Sequence, residues 1–401
     1  MTILKGGSAG KTKNLIDFAA LSAWVLASGF MVIVSFLLFG EDFRGYYAAA
    51  RVLLQGGNPY DYAQVSPILL EATGRMGNNP YYYPPWFAWL FTPIAWLPYG
   101  IARALWAFCN LILWLVGLWN LGRFLDWPPV GWRRWTLFLF ATIQFAWITW
   151  RYEQAGILLL TLLVATLFAL REEKWGWAGL WLALLLTKPN VTFLLVISMG
   201  AWLLVQRKWK PVLTMLLSLF ALLSVTTLAT PGWYRPLFQN GFDNGLVNVL
   251  DGPGKIVGIR INTTLLDWLN LLGIDGKLRI AIYLLAGAVG AIVLIWMILR
   301  SSDLVQVTVV TILVGFALTP YALQYDFPLL TLPLFWAVAR LSQSGRMFWV
   351  GMVGLNAFNF GVLVWERPIS DGYWIVLGLI ALTLLAWFAP PQKQIEAVAQ
   401  R

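Results

Sequence analysis

Two adjacent acidic residues, Glu41 and Asp42, directly follow a long apolar stretch that covers residues 16–39. A carboxylate at such a boundary can take a proton from a reacting hydroxyl group, which makes Asp42 a candidate general base. Aspartate also suits the position before a helix, because it accepts hydrogen bonds from the unpaired backbone N–H groups there. Residue type and position alone therefore leave a catalytic role and a helix-capping role open for Asp42.

The composition of the chain shows what kind of protein must position this carboxylate. Apolar residues make up 60% of the 401 residues and charged residues only 11%, less than half the usual share in soluble proteins. Runs of about 18 apolar residues recur along the chain, which is typical of helices that cross a membrane. The net charge of +10 then fits cytoplasmic loops and anionic lipids, and nucleic acid is not an expected partner.

Two residue types exclude several classes of active site. The chain contains no histidine, which excludes imidazole general bases, His-ligated metals and a Ser-His triad. Its one cysteine, Cys109, lies in an apolar run and excludes both an intramolecular disulfide and a thiolate metal site. The sequence also lacks a phosphate-binding glycine loop, and we expect neither a cofactor nor a bound metal.

The apolar stretches predict an all-α, multi-pass membrane protein with about twelve spanning helices and both termini in the cytoplasm. Lysine and arginine concentrate in the segments that this arrangement places inside, as the positive-inside rule requires. Residues 1–390 form the predicted transmembrane domain, with outer loops at 41–83 and 231–277, and residues 391–401 form a cytoplasmic tail. Residues 84–99 are interpreted as an interfacial or re-entrant segment. The predicted spans are 16–39, 101–121, 135–150, 155–170, two half-length helices around Lys188-Pro189, 212–229, 278–299, 304–319, 327–340, 347–364 and 373–389.

The segment after the first span predicts a short helix over residues 43–55, with Asp42 as its N-cap and Gly56-Gly57 as its end. At 3.6 residues per turn, its polar and apolar side chains separate onto two faces. The polar face carries Arg44, Arg51 and Gln55. The apolar face carries Tyr46, Ala49, Ala50 and Leu53. We therefore expect an amphipathic helix in the first outer loop that lies on the membrane surface.

Several motifs in this sequence resemble those of glycosyltransferase family 87. The first is Asp42-Phe43-Arg44-Gly45-Tyr46-Tyr47-Ala48-Ala49-Ala50-Arg51, followed by Gly56, Asn58-Pro59-Tyr60-Asp61 and Tyr83-Pro84-Pro85. The others are Arg151-Tyr152-Glu153-Gln154, Leu186-Thr187-Lys188-Pro189, Thr319-Pro320-Tyr321 and Tyr325-Asp326-Phe327-Pro328-Leu329-Leu330. Their order and spacing together carry the resemblance, which extends over roughly Asp42 to Pro333.

The resemblance implies a GT-C-type fold and an enzyme that transfers a hexose, with mannose as the expected sugar, from a polyprenyl-phosphate donor. The acceptor would be a lipid or glycan at the outer face of the plasma membrane. The resemblance assigns Asp42 the acid–base role, and in-line attack implies inversion at the anomeric carbon. The other candidate residues, expected to bind substrate, are Arg44, Tyr46, Tyr83, Arg151, Glu153, Gln154, Lys188, Arg260, Tyr325 and Asp326.

Several of these residues also have ordinary structural roles open to them. Lys188 either binds the donor phosphate as a point charge or snorkels beside a proline kink. Arg151 and Glu153 either pair with each other or leave Arg151 to reach the phosphate. Tyr83, in a run of three tyrosines, is either an interfacial anchor or a sugar platform, and Asp326 either begins a helix or faces the site.

Two other functions stay open for a chain with this topology. A lipid-linked oligosaccharide polymerase or ligase usually relies on outer-loop arginines and histidines, so the lack of histidine counts against it. A transporter or flippase needs polar residues within the spans, where Lys188 is the main exception to an apolar composition. Some members of glycosyltransferase family 87, which this sequence resembles, carry a histidine near the position that corresponds to Tyr325-Asp326. In this chain its role is absent or is taken by Tyr325 or Asp326.

Overall fold

Helices make up most of the described part of this chain, as expected where backbone polar groups must be satisfied without water. The computed structural model describes residues 7–38, 42–74, 81–125, 145–236, 238, 263–341 and 371–388, and no β-strand occurs among them. Most of the span predicted at 135–150, the whole span predicted at 347–364 and the tail at 391–401 lie outside the described residues.

The described helices follow the predicted apolar stretches closely. The first six are α1 (Gly7–Leu38), α2 (Phe43–Leu54), α3 (Tyr62–Thr73), α4 (Pro85–Trp89), α5 (Thr92–Ala95) and α6 (Tyr99–Phe124). The next five are α7 (Trp147–Tyr152), α8 (Gly156–Arg171), α9 (Trp175–Leu184), α10 (Pro189–Val205) and α11 (Trp209–Ala229). The last five are α12 (Leu265–Leu271), α13 (Gly276–Arg300), α14 (Leu304–Leu318), α15 (Thr331–Leu341) and α16 (Asp371–Phe388). Two 3-10 helices cover Leu185–Thr187 and Gln324–Leu330.

Four of the described helices are long and apolar enough to cross a membrane on their own. They are the segment Leu21–Leu38 of α1 and the whole of α6, α11 and α13. Shorter apolar helices include α8, α10 and α14. The described chain is therefore an all-helical membrane protein, and the number of twelve spans stays a prediction.

One end of the helix bundle collects basic side chains. Arg171, at the end of α8, donates to the Phe124 carbonyl at the end of α6 (2.9 Å). Thr214, near the start of α11, donates to the Trp175 carbonyl at the start of α9 (2.8 Å). We call this the basic end, and the cationic residues described there include Arg123, Arg171, Lys174, Arg207, Lys208, Lys210 and Arg300.

The helices α9 and α10 form a hairpin whose tip is Lys188, at the end of the bundle opposite the basic end. The α9 helix runs into the 3-10 turn Leu185–Thr187, and Pro189 then begins α10 because it has no N–H group to continue a preceding helix. The Thr192 hydroxyl bonds to the carbonyls of both Leu185 (2.6 Å) and Lys188 (2.9 Å), which ties the two arms together. The predicted break at Lys188-Pro189 is confirmed.

The helix predicted after the first span is present as α2, but protein neighbours bury it on nearly all sides. Its core contacts are with α3, α4, α5 and α6. Residues outside the predicted apolar face are also buried, among them Phe43, Tyr47, Ala48 and Val52. On the polar face, Arg51 is half-buried and its Nη1 donates to the Ala95 carbonyl (3.3 Å). Amphipathic spacing identifies a buried face without identifying what covers it, and in α2 the neighbouring helices cover it. Its position at the membrane surface stays a prediction.

One other predicted span differs from the prediction in its boundaries. The span predicted at 327–340 begins as the 3-10 helix Gln324–Leu330, and α15 covers only Thr331–Leu341. Pro328 lies inside that 3-10 helix, where its missing N–H disfavours a regular α-helix. Residues 84–99 fold into the short helices α4 and α5 and the start of α6, and neither α4 nor α5 is long enough to cross a membrane.

Candidate active site

Gln154 joins four of the candidate residues at the end of the bundle opposite the basic end. Its Nε2 donates to Asp42 Oδ2 (2.5 Å). Its Oε1 accepts from Tyr46 OH (2.9 Å), Tyr83 OH (2.7 Å) and Lys188 Nζ (3.2 Å). Gln154 itself is only 3% exposed. Residues far apart in the sequence therefore converge on one buried amide, and we call these five residues the Gln154 cluster.

Lys188 also binds the carboxylate of Asp326. Its Nζ lies 2.5 Å from Asp326 Oδ1, and Asp326 Oδ2 accepts from the Leu323 N–H (3.3 Å). The same ammonium lies 4.2 Å from the centre of the Tyr325 ring, within the range of a cation–π contact. Lys188 and Asp326 are both buried. The positive charge of Lys188 is therefore shared between an ion pair with Asp326 and a hydrogen bond to Gln154.

Burial makes the two tyrosines of the cluster harder to ionise. It raises the pKa of both Tyr46 and Tyr83 well above the ordinary value of 10. Their hydroxyl oxygens lie 3.1 Å apart, and their rings meet edge to face with centres 5.2 Å apart. Because both hydroxyls keep their protons at neutral pH, both can donate to the Gln154 oxygen.

Glu153 precedes Gln154 in the chain but faces α6. Its Oε1 lies 2.5 Å from Arg103 Nε, and its backbone carbonyl accepts from Trp106 Nε1 (2.8 Å). Burial raises the pKa of Glu153 from 4.5 to about 7, and the nearby Arg103 guanidinium offsets this effect only in part. The ion pair that the structure gives Glu153 is thus with Arg103, on the side of the turn that faces α6.

The turn between α7 and α8 explains why neighbouring side chains point to different partners. Glu153 adopts a left-handed backbone conformation with φ of 56°, and this reverses the chain after α7. The Gln154 N–H then donates to the Thr149 carbonyl (2.9 Å), which closes the turn. The backbone thereby directs Glu153 toward α6 and Gln154 toward Asp42.

A glycine at the start of α8 brings the Tyr325-Asp326 segment close. A Cβ atom at Gly156 would lie 2.2 Å from the Tyr325 carbonyl oxygen, so only glycine allows this approach. Thr149 Oγ1 donates to the same carbonyl (2.8 Å). These two contacts place Asp326 within reach of Lys188.

Comparison with known proteins identifies the family to which this chain belongs. The family model for glycosyltransferase family 87 matches residues 81–320, which is more than half of the chain. The chain belongs to glycosyltransferase family 87. No curated protein and no solved structure matches it significantly. The resemblance noted in the sequence is thus confirmed, and the family makes this chain a membrane glycosyltransferase that uses a sugar donor and an acceptor.

In this family 87 glycosyltransferase, the matched region covers part of the cluster. Tyr83, Gln154 and Lys188 lie within residues 81–320, whereas Asp42 and Tyr46 precede that region. Tyr325 and Asp326 follow it. The hydrogen bond from Gln154 to Asp42 therefore connects the matched region to the residue predicted to act as the base.

The remaining predicted residues lie beside the cluster or outside the described chain. Arg44 and Arg151 are half-buried. The Arg151 guanidinium lies 5.8 Å from the centre of the Tyr152 ring, and that ring lies 6.1 Å from the ring of Tyr325. Arg260 is outside the described residues. The substrate contacts predicted for all the site residues stay predictions.

The structure does not support the capping role considered for Asp42. Asp42 occupies the position before α2, but its side chain makes no capping hydrogen bond to that helix. Its backbone is already in the helical region, with φ of −84° and ψ of −25°, and its carboxylate accepts from Gln154 instead. The Asp42 carboxylate is therefore bound by Gln154 of the candidate site and does not cap α2.

Sequence reasoning missed three residues that support this site. Arg103 binds Glu153, Trp106 binds the Glu153 carbonyl, and Thr149 binds the Tyr325 carbonyl. Arg103 did carry a signal, because an arginine within a predicted span usually has a specific partner. Trp106 and Thr149 carried none, because tryptophan and threonine are ordinary members of apolar helices in this chain.

Proposed function

We propose that this glycosyltransferase moves a hexose, with mannose as the expected sugar, from a polyprenyl-phosphate donor to a lipid or glycan acceptor, with Asp42 as general base. The observation that carries the proposal is the hydrogen bond that holds the Asp42 carboxylate at Gln154 (2.5 Å). Two other buried carboxylates near the cluster, Glu153 and Asp326, are each engaged in a close ion pair. Asp42 is half-buried, so a substrate has better access to it than to either of them.

The proposed reaction is a single displacement. An acceptor hydroxyl oxygen forms a bond to the anomeric carbon while its proton passes to the Asp42 carboxylate. The bond from that carbon to the phosphate oxygen breaks, and its electron pair leaves with the lipid phosphate. Attack from the face opposite the leaving group inverts the anomeric carbon. A nearby cation stabilises the charge that grows on the phosphate.

Three cations are candidates to serve the phosphate in this proposal. Arg151 is half-buried, and its guanidinium contacts the Tyr152 ring, which lies 6.1 Å from the ring of Tyr325. This chain of contacts supports a position for Arg151 near the proposed site. Lys188 is buried, so a phosphate would reach it only by competing with Asp326. These positions favour Arg151 for direct phosphate binding and Lys188 for balancing charge within the cluster. Arg44 lies two residues from Asp42 and stays a further candidate.

The proposed active face is the outer one. The positive-inside rule puts clusters of lysine and arginine in the cytoplasm, and the basic end of the bundle has such a cluster. The Gln154 cluster lies at the other end. Cysteine substitution of Asn58 and of Lys208, each in a Cys109→Ser background, tests the orientation with a membrane-impermeant thiol reagent in intact cells. We expect labelling at position 58 only, and labelling at position 208 would reverse the assignment.

The donor class is tested with purified protein in lipid vesicles. Polyprenyl phosphate carrying radiolabelled mannose is compared with the glucose form and with a nucleotide-linked mannose, and extracted membrane lipids are supplied as acceptors. We expect a new labelled glycolipid from polyprenyl-phosphate mannose and from neither of the other two donors. Transfer from the nucleotide sugar would overturn the donor class. Label that crosses the vesicle membrane without forming a glycoside would indicate a transporter.

A further inference from the structure

The orientation of the Gln154 amide is fixed by two charged neighbours. Lys188 Nζ can only donate, and it lies 3.2 Å from Gln154 Oε1. An ionised Asp42 carboxylate can only accept, and its Oδ2 lies 2.5 Å from Gln154 Nε2. Rotation of the amide by half a turn would place donor against donor and acceptor against acceptor. One orientation is therefore favoured at both ends of the amide.

The amide oxygen is also saturated by protein groups. It accepts from the Tyr46 and Tyr83 hydroxyls as well as from Lys188, and Gln154 is 3% exposed. A carbonyl oxygen has two lone pairs, so three donors leave it no capacity for a substrate hydroxyl. This crowding argues against Gln154 as a ligand of the sugar or the phosphate.

We propose that Gln154 is a positioning residue, which holds the Asp42 carboxylate in the orientation needed for proton transfer and couples it to the charge of Lys188. The inference rests on the proposed function of Asp42 as base. The Lys188 ammonium polarises the amide through its oxygen, which strengthens the N–H donation to Asp42 at the other end. A donor to the ionised carboxylate favours that ionised form, which is the form a general base needs.

The surrounding turn is suited to hold such a group still. The Gln154 N–H is bound to the Thr149 carbonyl, and the preceding residue is anchored on α6 through Arg103 and Trp106. Contacts therefore fix this residue from the backbone, from the neighbouring turn and from the side-chain amide. A base supported in this way is organised before the substrate arrives.

The first test is Gln154→Met, which keeps the length and bulk of the side chain and removes both amide groups. We expect the maximal rate to fall about 10- to 100-fold, because small errors in the placement of a base are costly. The acid limb of the pH–rate profile should move to higher pH, because the carboxylate has lost a donor that favours its ionised form. The KM for the polyprenyl-phosphate donor should stay within about twofold.

The second variant, Gln154→Glu, keeps the oxygen that Tyr46, Tyr83 and Lys188 bind. A protonated glutamate can still donate to Asp42, but two carboxylates this close share one proton. The activity of this variant should therefore persist at low pH. It should fall at higher pH, where the shared proton is lost, so the pH–rate profile should gain an alkaline limb that the wild type lacks. The matched control is Gln206→Met on an exposed residue at the basic end, for which we expect no change.

The outcomes separate the inference from the function on which it rests. Loss of activity in Asp42→Asn together with an unmoved acid limb in Gln154→Met would overturn the positioning role alone. A raised donor KM in Gln154→Met with an unchanged pH profile would make Gln154 a substrate ligand. If Gln154→Met does not fold, the alkaline limb of Gln154→Glu decides, and its absence contradicts the inference. An active Asp42→Asn would instead remove the base itself.

Discussion

The Lys188 ammonium lies 2.5 Å from the Asp326 carboxylate, and both side chains are buried near the tip of the α9–α10 hairpin. The two residues come from distant parts of the chain and meet because Gly156 lets the Tyr325 backbone approach α8. Removing one partner of such a pair leaves a buried charge without its counterion, which is far more destabilising than replacing both.

A double-mutant cycle tests this pairing. Asp326→Leu and Lys188→Met should each destabilise the folded protein by about 3–5 kcal/mol, because each strands the opposite charge. The double variant should recover most of that loss, since it contains no unpaired buried charge. Thermal unfolding in detergent measures the stability of all four proteins. Purely additive losses in the double variant would contradict a coupled pair.

The proposed roles of Arg151 in binding the donor phosphate and of Lys188 in balancing charge within the cluster give a second prediction. Arg151→Ala should raise the KM for the polyprenyl-phosphate donor more than tenfold with little change in thermal stability, because loss of a charge that binds phosphate is worth roughly 2–5 kcal/mol. Arg207→Ala, on an exposed arginine at the basic end, is the control and should change neither quantity. An unchanged donor KM in Arg151→Ala would exclude this residue from the phosphate site.

The raised pKa of Glu153 predicts how stability depends on pH. Burial raises that pKa from 4.5 to about 7, so between these values the folded state binds more protons than the unfolded state. The contribution of Glu153 to the stability of the folded protein must therefore fall as the pH rises through this window, by up to about 3 kcal/mol.

Glu153→Gln removes this titration and keeps an acceptor for Arg103. Its stability relative to the wild type should therefore increase from pH 4.5 to pH 7.5. Thermal unfolding of both proteins in the same detergent across that range measures the difference. A difference that stays constant with pH would show that Glu153 ionises in the fold as it does in water.

The close approach at Gly156 predicts the effect of a single methyl group. Gly156→Ala places a Cβ atom 2.2 Å from the Tyr325 carbonyl oxygen, so the Tyr325-Asp326 segment must shift. We expect a loss of about 1–3 kcal/mol in stability and a reduced rate, because Asp326 moves relative to Lys188. The control is Gly200→Ala in α10, where no atom lies within 4 Å of the added group. Equal effects of the two substitutions would contradict the role of this contact.

Much of the helical framework follows from the sequence because apolar length and helix-breaking residues act locally. The ends of α6, α13 and α14 lie within a few residues of their predicted positions. The break at Lys188-Pro189 also follows from proline's missing N–H. By contrast, the burial of α2 depends on what packs against both of its faces, which spacing alone does not encode.

The site can be predicted only in part from the sequence, because it too depends on contacts between distant parts of the chain. Separate sequence motifs contain Asp42, Gln154 and Lys188, and each motif can be recognised by itself. The hydrogen bonds that join Asp42 and Lys188 to the Gln154 amide arise only when the chain folds. The Arg103–Glu153 pair joins residues fifty positions apart. No local pattern predicts such a pair, although a charged residue inside an apolar helix does indicate that a partner exists.

The general-base role of Asp42 is tested most directly by sugar transfer and donor binding in purified Asp42→Asn. Asparagine keeps the shape and an acceptor oxygen for Gln154, and it removes the carboxylate's charge and proton affinity. The matched control is Asp303→Asn, because Asp303 caps α14 at the basic end and asparagine caps equally well. We predict a rate loss of about 10²–10⁴-fold for Asp42→Asn with donor binding retained, and no loss for the control. Sugar transfer by Asp42→Asn at the wild-type rate would contradict the account.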